Sequence, residues 1–568
     1  MESHFKDFRS LCLSVSRETS YNAKTELIHN FIYDEYKKNR SSTDVYIIVK
    51  LLLPGVSKLI YNVNDKQIIK FFSKILKFEA EEINKYVVDT GDVAYVIGSF
   101  LKKSRSVYYA TQSTLKLQDI DCFLTRLSKV TKEHDQIKEF KKIIPKCTPN
   151  DLRYIIRLVK HDLRMNIGPK HVLAALHEKA YDIFKLSNDL EYVVNKSLEG
   201  NIKAMIKPMI PIHPMLASIC KTFSEAKQKC KGGIIVEFKY DGERIQVHKD
   251  GDNFKFFSRT LKPVTPHKVS SFEELLIRAF PSANNMILDG EIILVDKETN
   301  KPLPFGTLGI NKKSMYNNAC ICFFVFDCLY FNDISLIDKP LSYRRDIISS
   351  NIIEISNRVL LSEVRLVDED KELIRLLKIV LSKGIEGFVL KDDKGVYEPG
   401  MRRWLKIKKD YLDNGSMADK ADLLVLGAYY GKGNKSGLLS SFLMGCYDKD
   451  SEKWCTVTKC SGGHSDAELK EIQKSISVVP FDKNNIPDWL SINKVHYPDV
   501  IITDVETAPV WEIAGAEFTT SPSHTAANIS IRFPRCVRVR EDKDFKTAST
   551  LSDIKALYSL SISNNTEE

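Results

Sequence analysis

Along the first two hundred positions apolar residues recur every three or four places, as in KQIIKFFSKILKFEAEEINKYV. That interval gathers them on one face of a helix, so residues 1–208 are predicted to be a helical domain. The clearest start lies in TPNDLRYIIRLVKHDL, where Thr148 caps, Pro149 takes the first helical position and Asp151 closes the cap. Leu152, Ile155, Ile156, Val159 and Leu163 form the inward stripe of this helix, and Arg153, Arg157, Lys160 and Arg164 are expected along one outer face. A Gly-Pro turn in MNIGPKHVL then brings Lys170 and His171 toward the same surface. After the proline-punctuated KPMIPIHPMLAS the texture changes. Over 209–420, short strands are predicted at 234–239, 245–248, 254–258, 286–295, 321–331, 387–391 and 404–408, alternating with helical runs. From 421 to 555 the pattern is mostly β with glycine-rich turns, which predicts a small barrel, and 556–568 reads as a frayed tail.

Side chains alternate across a strand, and this rule makes the charged residues informative. In IIVEFKYDGERI, Glu237 and Lys239 share a face with Ile235, while Val236 and Phe238 point the other way. In MILDGEIILV, Asp289 and Glu291 share a face; in WLKIKKD, Lys406 and Lys408 do. Three separate strands thus deliver ionisable groups to one side, which suggests a common cleft. A lysine at the end of an apolar strand is costly to desolvate and needs a reason. A nucleophilic amine must be neutral, and nearby cations such as Lys406, Lys408 or a divalent metal lower its pKa while stabilising charge on a phosphoryl group. Glu291 and Glu386 suit a hard, oxygen-seeking ion such as Mg²⁺. The same residues also fit a structural salt-bridge network, and no single motif decides between the two.

Composition adds limits. The 568 residues are 43% apolar and 28% charged, which fits several ordinary globular domains. The net charge of +10 leans toward a polyanionic partner. The basic run on the Thr148 helix is either a solvated face or a ridge that tracks phosphates and displaces their counterions. Twelve cysteines without a CxxC pair read as reduced thiols of a cytosolic or nuclear protein, and Cys455, Cys460 and His464 do not make a standard zinc pattern. The first residues lack the form of a signal peptide, and no apolar run reaches the roughly 18 residues of a membrane span.

Seven short motifs, in order, carry a resemblance. KYDGER (239–244), FSRT (257–260), LDGEI (288–292), FFVFDCLYF (323–331), EGFVLK (386–391), WLKIKKDY (404–411) and IRFPRCVRVREDK (531–543) resemble motifs I, Ia, III, IIIa, IV, V and VI of the eukaryotic-type ATP-dependent DNA ligases. The likeness is greatest to the poxvirus DNA ligases and their animal ligase III relatives, and it reaches DLRYIIRLVKHDLRMNIGPKHVL in the helical part. The resemblance implies a multidomain fold: an all-α DNA-binding domain, an α+β nucleotidyltransferase (adenylation) domain and a β-barrel OB-fold domain.

It also implies ATP and Mg²⁺ as cofactors, with Mn²⁺ able to stand in, and three steps. Lys239 attacks the α-phosphate of ATP to give lysyl-AMP; AMP passes to the 5′-phosphate at a nick; the 3′-hydroxyl then seals the break and releases AMP. By analogy Glu237 accepts from the adenine amino group and Phe326 stacks on the base. Arg244 and Arg259 contact ribose or nick phosphates, and Glu291 and Glu386 serve ribose or metal. Lys391, Arg402, Lys406 and Lys408 hold the AMP phosphate. Arg540, Asp542 and Lys543 approach the pyrophosphate in the first step, so the barrel must swing between two positions. Arg153, Arg157, Lys160, Arg164 and Lys170 are expected to bind DNA, with Phe305 and Phe533 pressing on the minor groove. The implied partner is nicked duplex DNA, engaged by a monomer in the host cytoplasm without a membrane, in replication, repair and recombination.

Two features of the animal relatives, a leading zinc finger and a trailing BRCT module, are not expected here. An mRNA capping nucleotidyltransferase or an RNA ligase shares the KxDG chemistry, but the basic helical domain and the form of RFPRCVRVREDK speak against both. A non-catalytic DNA-binding scaffold would not need Lys239, Glu291, Glu386, Lys406 and Lys408 together.

Overall fold

The computed structural model describes residues 3–563 apart from 40, 57–58, 201–205, 221, 270–271, 300–302, 304–317, 368, 383–386, 409–418, 432–434 and 436. The chain divides into two compact units, Met1–Met205 with Gly431–Gly437, and Ile206–Tyr430 with Leu438–Glu568.

The first unit is helical around one apolar core that runs from Phe5 to Val194 in sequence. Phe140 makes edge contacts with Phe72 and Phe123 at 5.2 and 5.5 Å, joining three helices at the centre. The helix Pro149–Val159 starts as its sequence predicts: Thr148 Oγ1 accepts from the Asp151 backbone N–H at 3.1 Å, and the Asp151 carboxylate accepts from the Thr148 N–H at 2.8 Å. All five residues of its inward stripe are buried. Its basic residues do not form the expected outer row. Arg157 is buried and bonded to Asp92, and Lys160 is paired with Asp65. The carboxylates that draw them in come from distant parts of the chain, which periodicity cannot register.

The second unit holds two sheets and a β-rich portion. One sheet orders its strands β1 (Leu216–Ile219), β11 (Arg402–Lys408), β10 (Gly387–Asp392), β2 (Ile234–Lys239) and β9 (Val364–Leu366). The other orders β4 (Asn253–Ser258), β3 (Glu243–Asp250), β5 (Asn285–Asp296), β6 (Ala319–Phe331) and β7 (Ile334–Ser335), with β8 (Val359–Leu361) beside β6. Val236, Phe238, Phe388, Leu390, Leu405 and Ile407 fill the apolar side of the first sheet, as alternation requires. Tyr240 packs into this core and into a second small core of Ile293, Val295 and Cys322, and its ring stacks on Phe324 at 4.1 Å. One aromatic residue thus joins the two sheets next to Lys239.

The β-rich portion curls around β12 (Asp419–Tyr430), which pairs with β13 (Leu439–Asp448), β17 (Val500–Ile502) and β18 (Val510–Gly515) over a core centred on Trp511. Two shorter strands, β20 (Ile529–Arg532) and β21 (Arg535–Val539), lie near its end. A frayed tail was expected from 556. The chain instead continues in a helix, Leu551–Ser563, that buries Leu551 and Ile554 in the same core.

Candidate active site

β2, β10 and β11 are antiparallel neighbours, and their register aligns the charged residues in rows. Glu237 lies opposite Val389, and Val389 opposite Lys406; two residues along, Lys239 and Lys408 flank Gly387. Gly387 has φ +146°, and having no side chain it leaves space between the two lysine positions. The Lys408 side chain, Glu386 and Phe305 lie outside the described residues.

This face forms one wall of a cleft of about 600 Å³. Lys239, Glu237, Arg244, Arg259, Glu291, Phe326, Lys391, Arg402, Lys406 and Phe533 all line it. Residues from six strands and two sheets therefore converge. The link between the sheets is Tyr240-Asp241-Gly242, three residues between β2 and β3. A Cβ on Gly242 would fall on the Ile292 carbonyl oxygen and on Ile293 Cγ2, so only glycine lets the link press against β5.

Burial holds the Lys239 ammonium below its ordinary pKa; Glu291 and Asp241 work against that, while Arg532 and Arg259 reinforce it. Glu291, on the opposing sheet, is pushed up to about 7 by burial, with Lys239 and Arg244 opposing the rise.

Several residues hold partners that the sequence does not disclose. Arg244 donates to both oxygens of buried Asp289 at 2.9 and 2.6 Å and to the Met215 carbonyl at 2.7 Å, and it sits over Phe326 and Trp404. Tyr397 donates to the same Asp289 at 2.8 Å. Arg244 thus lines the cleft as an anchored guanidinium. Glu237 is buried against Lys391, accepts from Ser362 Oγ, and accepts from Arg345 at 3.4 Å. The Lys391 ammonium also lies 4.5 and 4.3 Å from the ring centres of Phe326 and Trp404. Burial lowers its pKa, with the Glu237 charge opposing. Arg402 donates to the Ala217 carbonyl at 3.2 Å. Sequence reasoning missed Trp404, Arg345, Ser362 and Arg532. Trp404 is two residues before Lys406 and so shares its face, a signal that was available; Arg345 and Ser362 gave none.

At the mouth of the cleft, Arg532 of β20 makes a two-point ion pair with Asp241 and donates to Glu517 at 2.9 Å. Phe533 follows it with φ +53° and 58% of its surface exposed, its ring under the Arg532 guanidinium at 4.9 Å. Arg540, Asp542 and Lys543 are not among the residues lining the cleft. Arg540 forks onto Asp542 at 2.8 and 2.7 Å and reaches Asp422 of β12 at 3.0 Å, where Lys543 also binds at 2.8 Å. These charges are stored on the barrel.

Comparison with known proteins identifies this arrangement. Three family models match in succession: DNA ligase N terminus over residues 4–177, ATP dependent DNA ligase domain over 214–408, and ATP dependent DNA ligase C terminal region over 435–543. The DNA ligase of Fowlpox virus (strain NVSL) is 72% identical over 564 residues, covering 99% of both chains. DNA ligase 3 of Dictyostelium discoideum is 37% identical over 97% of this chain and 50% of its own. The solved structure called Pmar-Lig_PreS3 covers 94% of this chain and 99% of its own with a TM-score of 0.58 at 16% identity, a likeness of fold. With its helical first domain, α+β adenylation domain and curled β domain, the chain belongs to the poxvirus-type ATP-dependent DNA ligases.

Proposed function

We propose that this ATP-dependent DNA ligase acts on nicked duplex DNA through Lys239 as the nucleophile. The observation that carries the assignment is a half-buried lysine with a lowered pKa, facing Glu291 across a cleft walled by Lys391, Arg402 and Lys406. In the first step the Lys239 amine forms a bond to the α-phosphorus as the bond to pyrophosphate breaks. The surrounding cations favour the neutral amine before attack and offset phosphoryl charge during it. AMP then moves to the 5′-phosphate of the nick, and the 3′-hydroxyl displaces it.

Glu237, fixed by Lys391, Ser362 and Arg345, is positioned to accept from an adenine amino group, with Phe326 as the stacking surface. Arg244, Arg259 and Arg402 would address ribose and phosphate oxygens. Among the described residues no group of three His, Cys, Asp or Glu could hold a metal. Glu291 would hold Mg²⁺ (or Mn²⁺), a hard ion suited to a carboxylate oxygen; bound there, the ion would neutralise charge on the phosphates. Glu386 is the second candidate ligand. Arg540, Asp542 and Lys543 would serve the pyrophosphate in another barrel position, and Phe533 would press on the duplex with Phe305.

The reading takes residues 1–208, 209–420 and 421–555 as the three functional domains, working as a monomer. No described helix is long and apolar enough to cross a membrane. Kinship to poxviruses supports action in the host cytoplasm in replication, repair and recombination.

The test uses α-labelled ATP with Mg²⁺ followed by denaturation. The expected result is a covalent label that is absent in Lys239→Ala and discharged by nicked DNA. A label from GTP instead would favour a capping activity, and no label at all would leave only a scaffold.

A further inference from the structure

In the helical unit three guanidiniums converge on one carboxylate. Asp92 accepts from Arg157 Nη2 at 2.7 Å, and Arg153 and Arg164 approach the same oxygen at 3.7 Å each. Asp92 also caps the helix Val93–Lys103, accepting from the Tyr95 N–H at 3.0 Å. Burial alone would raise its pKa, but the Arg157 hydrogen bond and charge bring it below the usual carboxylate range. One negative charge thus stands against three positive ones.

The three arginines are not equivalent. Arg157 is buried, and its Nε finds no hydrogen-bond partner among the described residues. Arg153 and Arg164 keep 31% and 33% of their side chains exposed. The Arg153 guanidinium lies over the Tyr95 ring at 4.9 Å, and its Nε is likewise without a partner among the described residues. Burial and then repulsion from Arg157 lower the Arg153 pKa, which marks a cation short of counter-charge. Arg164 is held by donating to the Gly91 carbonyl, on a backbone with φ +56° that fixes where its side chain leaves the chain. Two half-exposed, oriented guanidiniums with donors to spare make an anion site whose natural occupant is a phosphodiester.

We propose that Asp92 is a positioning residue for DNA: with Arg157 as an internal brace, it sets Arg153 and Arg164 as a paired clamp on one stretch of duplex backbone phosphates. This rests on the nick-sealing reading above. It goes further in that it takes Arg157 out of the contact set and makes an acidic residue essential for binding a polyanion.

The test measures affinity of the full-length enzyme for a nicked duplex without Mg²⁺, across a series of salt concentrations. Arg153→Gln and Arg164→Gln should each lower the slope of log affinity against log salt by about 0.9, the loss of one neutralised phosphate. Asp92→Asn raises the local positive charge, so a charge-only account expects tighter binding; the clamp expects weaker binding and a shallower slope. Far-UV circular dichroism and thermal melting of each full-length variant serve as the check that the helical unit has folded. Unaltered slopes in the arginine variants, or Asp92→Asn binding as well as the parent, would overturn the proposal. Should Asp92→Asn not fold, Asp92→Glu with the two arginine slopes decides, since a longer carboxylate keeps the charge and misplaces the clamp. A parent enzyme that self-adenylates yet ignores nicked DNA would sink the nick-sealing reading instead.

Discussion

At the scale of single residues the chemistry turns on the proton of Lys239. Its pKa is lowered first by burial and then by positive neighbours, one of which, Arg259, is exposed at the cleft. A lowered pKa means the neutral amine appears as pH rises through a midpoint below the free-lysine value near 10.4. Removing a positive neighbour favours the protonated form, so the midpoint must rise. Modification of Lys239 by an amine-specific reagent, followed by peptide mass spectrometry from pH 6 to 11, should give a higher midpoint in Arg259→Gln than in the parent; an unmoved or lower midpoint would show that this charge does not act on the amine. Side-chain partners were the least legible part of the sequence. The face shared by Glu237 and Lys239 followed from alternation, and so did that of Asp289 and Glu291. That Arg244 belongs to Asp289, Glu237 to Lys391 and Arg157 to Asp92 did not follow, because each pair is made by strands or helices far apart in the chain.

At the scale of elements the strands were read closely. The expected 234–239 is β2 to the residue, and 286–295 and 321–331 differ from β5 and β6 by one or two positions at their ends. These strands are buried on both sides or alternate cleanly, so the hydrophobic pattern specifies them. The helix Leu551–Ser563 was missed because its polar serines mask a weak apolar stripe. Between β6 and the helix Leu341–Asn351 lies a tie no pattern reveals. Arg344 forks onto Asp327 at 2.6 and 2.9 Å, both fully buried, and donates to the carbonyls of Lys339 and Gly395. Arg344→Met strands the Asp327 carboxylate and should cost ~3–5 kcal/mol. Chemical denaturation should show this loss, and most of it should return in the double variant Asp327→Leu/Arg344→Met. If the single variant melts with the parent, the pair does not brace the domain.

At the scale of the whole molecule, the β-rich portion offers two different surfaces. The Arg532–Phe533 segment is at the cleft, tied to Asp241, while Arg540 and Lys543 are tied to Asp422 on the barrel itself. An enzyme that needs the second set for pyrophosphate and the first for DNA must break one contact to make the other. Arg532→Ala should therefore slow sealing by pre-adenylated enzyme by roughly 10- to 100-fold, in line with a lost charge-assisted contact of ~1.5–3 kcal/mol, and slow lysyl-AMP formation less, through the raised pKa of Lys239 alone. Single-turnover assays of each step separate the two. Equal slowing of both would mean that the Asp241 contact serves the nucleophile rather than the barrel.

The link from β2 to β3 has one more consequence. Three residues carry the chain from one sheet to the other, and β3 then pairs Arg244 with Glu291 and Ile245 with Gly290 across β5. A strand repeats every two residues, so one extra residue in the link would turn every following side chain over. Ile245 and Val247 would leave their apolar core for the side where Gln246 and His248 are buried, and Arg244 would lose Asp289, although not one charged group had been altered. The link works as a ruler: the enzyme can be silenced by miscounting alone.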